Sequence, residues 1–189
     1  MADSFEFRNV AHTVNIGPSA EFYNCSFDSL ATAMHLSTQD VSDPSLRKKT
    51  IFRDCDFRYS GLNYTECNHC EGLITYSNSG YNVLMENCKV FYPQNSILFP
   101  FASDDDGLVL RNNKFYGDSL SNAYAISLQQ NTGSPVNSND KADIQITNCV
   151  FDRVGNISFS GANEDDRRGF FRVKIKDNVI RNGILNFSG

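Results

Sequence analysis

The sequence predicts an all-β chain wound as a solenoid of about six parallel coils, and three observations lead there. A short motif built around Asn or Asp recurs along the chain. The alternation of apolar and polar residues slips by one position at each copy. No stretch carries the ~3.6-residue period of an amphipathic helix.

The motif can be followed in order. "FEFRNV" places Asn9, "EFYNCSF" Asn24, "IFRDCDF" Asp54 and "VLMENCKV" Asn87. "LVLRNNKF" places Asn112, "IQITNCVF" Asn148 and "VKIKDNVI" Asp177. Successive spacings are 15, 30, 33, 25, 36 and 29 residues. The first is too short for a full coil, so Asn9 is expected in an incomplete or capping segment. The first copy is also the weakest, with His12 in the last apolar place.

The slip has a physical reading. In "IQITNCVF" Ile144 and Ile146 share one side, and so do Cys149 and Phe151, but the step between the pairs is three residues. One residue at positive φ bends the chain and resets the alternation, and Asn and Asp tolerate that conformation best among residues with a side chain. Each copy is therefore two short strands meeting at a corner. A second apolar stretch follows most corners: "AMHL" at 33–36, "GLIT" at 72–75, "SILF" at 96–99, "YAISL" at 124–128, "NISFS" at 156–160 and "GILNF" at 183–187. Each coil reads as strand, corner, strand, turn, strand and variable loop.

Coils lie ~4.8 Å apart, so equivalent residues stack. Asn24, Asp54, Asn87, Asn112, Asn148 and Asp177 would form a corner ladder in which amides bond to one another and the two carboxylates take backbone N–H groups. The next position holds Cys25, Cys55, Cys88, Asn113, Cys149 and Asn178 and is expected to point inward, as small buried residues. Phe27, Phe57, Phe115 and Phe151, with Val90 and Ile180, would stack as core.

This pattern resembles the right-handed parallel β-helix of the pectate-lyase-like group, through "I-x-I-x-N-N/C-x-F" and its corner Asn ladder. The resemblance covers most of the chain. It implies fold rather than activity, because enzymes, adhesins and phage tailspikes share it. An antiparallel sandwich also uses many short strands but does not need one corner residue at equivalent positions.

The chain has 189 residues, enough for one domain over 1–189, expected as a module of a larger or oligomeric assembly. Its formal charge of −5 argues against a general affinity for nucleic acid or anionic membrane. No apolar run is long enough to span a bilayer, and "MADSFEFRNV" does not read as a secretory signal. Folding in the cytoplasm with reduced thiols is expected, followed by association with a virion.

Three clusters are candidates for chemistry. "TECNHCEG" carries Cys67, His69 and Cys70, but a closed zinc site needs four ligands, so neither metal nor cofactor is expected. "FASDDDGL" carries Asp104, Asp105 and Asp106, which could hold Ca²⁺, serve as acid and base on a glycoside, or form a solvated turn. "GANEDDRRG" carries Glu164, Asp165, Asp166, Arg167 and Arg168, suited to sugar hydroxyls or a carboxylate, or else a charged surface loop.

Position weighs more than any single cluster. Insertions at 37–50, 77–82, 102–107, 129–143 and 160–170 all precede the strand that leads into a corner, so they should stack as one polar rim. The leading expectation is a non-catalytic module that binds a polysaccharide, surface glycan or virion component through that rim. The competing one is a polysaccharide lyase or glycoside hydrolase using Asp104–Asp106 or Glu164–Asp166. A third is a structural or partner-blocking acidic protein. The final "RNGILNFSG" is still in pattern, so a further stretch of chain or another subunit, in a homo-oligomer such as a trimer, is expected to close that end.

Overall fold

The computed structural model describes residues 1–8, 14–16, 20–30, 34–36, 49–59, 74–75, 82–91, 97–101, 107–117, 124–130, 143–160 and 172–188. Within them the chain forms only strands, which group into seven rungs. The first is β1 (Ala2–Asp3), β2 (Glu6–Arg8) and β3 (Val14–Ile16). The second is β4 (Glu21–Tyr23), β5 (Ser26–Leu30) and β6 (Met34–Leu36). The third is β7 (Lys49–Arg53), β8 (Asp56–Tyr59) and β9 (Ile74–Thr75). The fourth is β10 (Asn82–Glu86), β11 (Lys89–Phe91) and β12 (Ile97–Phe101), and the fifth β13 (Gly107–Arg111), β14 (Lys114–Tyr116) and β15 (Tyr124–Gln130). In the sixth, β16 (Asp143–Thr147) leads into the long β17 (Val150–Ser160); in the seventh, β18 (Arg172–Lys176) leads into β19 (Val179–Ser188).

All pairings between rungs are parallel. A seven-stranded sheet runs β1-β4-β7-β10-β13-β16-β18. A twelve-stranded sheet runs β2-β5-β8-β11-β14-β17 and returns β15-β12-β9-β6-β3, with β19 beside β17. The second sheet is two faces of the solenoid, joined because β17 passes through the second corner unbroken. The protein is thus all-β, a parallel β-helix with three strand faces.

Six rungs turn at the corners read from sequence: Asn24 (φ 52), Asp54 (φ 55), Asn87 (φ 57), Asn112 (φ 57), Asn148 (φ 53) and Asp177 (φ 57). The first rung, made of short strands, turns at Ser4 (φ 59). Asn9 lies outside the described residues. Ala2 pairs with Phe22 and Phe7 with Phe27, which places Ser4 in register with Asn24.

Backbone bonding continues through each corner. The corner N–H donates onward to the next rung: Asn87 N to Arg111 O and Asn112 N to Thr147 O, at 3.0 and 3.1 Å. Two residues later the N–H donates back: Lys114 N to Cys88 O and Val150 N to Asn113 O, both 2.9 Å. No ladder bond is sacrificed to make the bend.

The corner side chains are exposed. Asn87 Nδ2 donates to Asp54 Oδ1 at 3.0 Å, and Asn112 Nδ2 to Asn87 Oδ1 at 3.2 Å. Asp54 therefore accepts from a side-chain amide, where the sequence reading assigned it backbone N–H groups. Ser4 is too short for this ladder, and Asn24 Nδ2 reaches Asp3 Oδ1 instead, at 3.2 Å.

The interior fills from both sides of the bend. Before it, Phe52, Met85, Leu110 and Ile146 are buried; after it come Phe27, Phe57, Val90, Phe115 and Phe151. Phe27 stacks on Phe57 at 4.8 Å with rings 2° apart, and Phe115 on Phe151 at 4.8 Å and 8°. The separation matches the strand spacing, so in-register pairing and ring stacking impose one geometry. Gly117 marks the second corner: a Cβ there would lie 1.8 Å from the Arg153 carbonyl oxygen of the next rung.

The position after the first corner holds buried Cys25, Cys55, Cys88, Asn113 and Cys149, with Asn178 half-buried. Each thiol lies 3.3–3.4 Å from the carbonyl two residues back in its own rung, and Cys25, Cys55, Cys88 and both amides also reach back one rung, to the carbonyl two residues before that rung's corner. Cys55 Sγ lies 3.6 Å from Phe22 O, and Cys88 Sγ 3.5 Å from Phe52 O. Asn113 Nδ2 meets Met85 O at 2.9 Å, and Asn178 Nδ2 meets Ile146 O at 2.7 Å. Asn does more than a thiol: its Oδ1 also takes the N–H of Cys88 or Cys149, at 2.8 Å in each case.

Asn113→Ala is expected to orphan two buried backbone groups and destabilise by roughly 2–4 kcal/mol. Asn113→Cys, which keeps the donor, is expected to lose clearly less. Urea unfolding of both variants checks the order; an equal loss would remove the amide from the explanation.

Candidate functional site

The five polar insertions share their points of attachment. Each re-enters at the first residue of a strand in the seven-stranded sheet, and those residues are register partners. Asn82 pairs with Lys49 and with Gly107, Gly107 with Asp143, and Asp143 with Arg172. The exits align less closely: Phe101 pairs with Gln130 and Gln129 with Ser160, but Thr75 pairs with Leu98, three residues before the exit at Phe101. All five insertions therefore bridge one corner, between the third strand of one rung and the first strand of the next.

Asp104, Asp105 and Asp106 lie outside the described residues, and so do Glu164, Asp165, Asp166, Arg167 and Arg168. Their segments return to the sheet at Gly107 and Arg172, two rungs apart, or ~10 Å at the usual spacing. The segment 131–142 returns between them, at Asp143. Cys67, His69 and Cys70 are also outside the described residues. They belong to an insertion between β8 and β9, at the second corner rather than at the shared one. Among the described residues, no group of three or more His, Cys, Asp or Glu is placed to hold a metal.

Beside the anchors lies the outward face of the seven-stranded sheet. Strand alternation turns the residues one and three positions before each corner to this side. Glu86 takes Arg53 Nε on Oε2 at 2.9 Å and Arg111 Nη1 on Oε1 at 3.4 Å, so one carboxylate ties three rungs together. Arg53 also lies over the Tyr23 ring, 5.7 Å from its centroid. Half-buried Ile51, Leu84 and Val109 form the adjoining column, with Leu84 in register between the other two. The sequence reading missed this face, although the corner motif fixes it: Arg53, Glu86 and Arg111 each immediately precede a corner residue.

Three of the four buried thiols are held in the protonated form. Cys25, Cys55, Cys88 and Cys149 are all unpaired by disulfide. Contact with Cys55, and then burial, holds the Cys88 thiol far above the usual range. Burial pushes Cys149 from 9.0 up to about 11. Burial raises Cys25 as well, so Cys25, Cys88 and Cys149 stay protonated near neutrality, whereas contact with Cys88 draws the Cys55 thiol below its ordinary value; only a thiolate is a competent nucleophile or ligand.

No family model, curated protein or solved structure matches the chain.

The raised Cys149 value has a signed consequence. The native state holds this proton more tightly than the unfolded chain does, so its stabilisation is complete below pH 9 and lost as pH rises to about 11. Cys149→Ser, which keeps a donor but not the titration, is expected to lose about 2 kcal/mol less than the parent across that interval. Denaturant unfolding at pH 8 and pH 11 measures the difference, and identical pH dependence would contradict it.

Proposed function

We propose that the chain is a non-catalytic β-helix module that binds a surface glycan or a virion component through loops gathered along one corner, in the manner of a phage tailspike or fibre part. One observation carries the reading: the residues at which five polar insertions re-enter the sheet form a single in-register column, from Lys49 to Arg172. Length varies among the insertions while their attachment does not, the usual arrangement of binding loops on a rigid scaffold.

Composition supports the ligand class. "STQDVSDPSLRKK", "SDDD", "QQNTGSPVNSNDKAD" and "GANEDDRRG" offer hydroxyls, amides, carboxylates and guanidinium groups. Such groups hydrogen-bond the many hydroxyls of a sugar chain, and Arg167 and Arg168 add planar donors for a carboxylate-bearing sugar. Asp104–Asp106 and Glu164–Asp166 are ligand contacts in this reading.

A glycan array with the intact chain tests it. Replacing 131–142 and 161–171 by short Gly/Ser linkers is expected to weaken the best ligand at least roughly tenfold, with cooperative unfolding retained. Undiminished binding by that variant would move the site off this corner, and sustained release of reducing or unsaturated sugar ends by the parent would overturn the binding-only function.

A further inference from the structure

The outward face of the seven-stranded sheet is ordered along the solenoid axis. At the first two rungs it carries exposed Asp3 and half-buried Glu21. At the seventh it carries exposed Lys174 and Lys176. Between them, on rungs three to five, stand the aliphatic side chains of Ile51, Leu84 and Val109. Leu84 is on the fourth of seven rungs, so the apolar stripe is central, and Asp3 and Lys176 are equidistant from it.

A face that is acidic at one end, basic at the other and apolar between is complementary to itself when turned end over end. We propose that two copies of this chain pack these faces together about a two-fold axis running parallel to the strands through rung four. That operation reverses the solenoid axis and preserves strand direction. Leu84 then meets Leu84 of the second copy once, on the axis, while Ile51 meets Val109 and Asp3 meets Lys176 twice each, as an isologous interface requires; Glu21 lies opposite Gln145, one rung from Lys174.

The balance of terms indicates a modest affinity. Seven rungs at ~4.8 Å and five residues at ~3.3 Å give a face of roughly 500 Å², or about 1,000 Å² for the pair, near the lower end of specific interfaces. The same operation sets Glu86 opposite Glu86 and Arg53 opposite Arg111, like charges that oppose association and are offset only in part by the Arg53–Glu86–Arg111 ion pairs within each copy. Lys176 also keeps an exposed contact with Asp177 at 3.5 Å, an interaction that gives way readily. Burial of the aliphatic stripe and the charged ends on one another must outweigh both.

The symmetry has a further result. Because strand direction is preserved, the loop anchors of both copies lie on the same side of the dimer. Two binding corners would then engage one polymeric ligand together and gain from effective concentration. The dimer itself does not depend on the loops being a glycan site.

Analytical ultracentrifugation of the full chain from ~1 to ~200 µM, a range spanning weak specific association, tests the interface. The parent is expected to dimerise. Lys174→Glu with Lys176→Glu is expected to raise the dissociation constant at least roughly tenfold. Adding Asp3→Lys and Glu21→Lys to the same chain is expected to restore association, because position 3 again meets an opposite charge at position 176 and the two ends again carry opposite signs. Leu84→Arg, a single surface change at the two-fold axis, is expected to abolish it. A parent that stays monomeric throughout, or a dimer indifferent to both Leu84→Arg and the lysine reversals, would overturn the proposal.

Discussion

One backbone constraint underlies the whole structure: at the same point in every rung a single residue sits at positive φ. A strand that merely continued would turn the whole apolar set after the bend to the solvent. The left-handed residue shifts the alternation by one, so that Ile144 and Ile146 before Asn148, and Cys149 and Phe151 after it, all face one interior. Enforcing that φ on an ordinary residue costs roughly 1–2 kcal/mol, whereas an exposed amide–amide bond returns roughly 0.5–1.5 kcal/mol at most. The preference for Asn and Asp is therefore first conformational, and the side-chain ladder is secondary. Ser4 fits this ranking, since it keeps the positive φ in a rung where the ladder is diverted to Asp3.

With the bend fixed, the buried position that follows it has to serve the backbone of its neighbour. The amide donates to the carbonyl one rung back and accepts the neighbour's N–H, whereas a thiol shares its one proton between that carbonyl and a nearer one in its own rung, to which Cys149 alone is confined. That shared duty explains why Cys and Asn exchange in a column where their sizes and polarities would otherwise separate them. It also explains why four thiols in one column do not amount to a chemical site: each sulfur already serves as a small, buried donor.

Much of this was legible because the solenoid repeats its physics at every turn. Six corners, the inward Cys/Asn column and the Phe stack follow from one motif and the strand period. The first corner was hidden because "DSFEF" has Ser in place of Asn and Phe5 in place of Cys, so "FRNV" with Asn9 looked like the better copy. The second corner was illegible for a different reason. Among the described residues its left-handed turns fall on unlike residues, Arg153 (φ 57), Gly155 (φ 67) and Asn182 (φ 52), in the last two rungs, and the insertion that carries Cys67 interrupts the third. The common attachment of the five polar loops was readable from their place in the repeat. The Arg53–Glu86–Arg111 cluster was fixed by the same register, one position before each corner, but surface ion pairs leave no periodic apolar signal that singles it out.

Corner N–H groups offer the most direct test, because their side chains are exposed while their amides bond to the next rung. Amide hydrogen exchange should find Asn87, Asn112 and Asn148 protected nearly as well as the buried strand residues Met85, Leu110 and Ile146 that precede them. Rapid exchange at those three amides, with the flanking strands protected, would mean that the corners are ordinary solvated turns and that the stacked register through them does not exist.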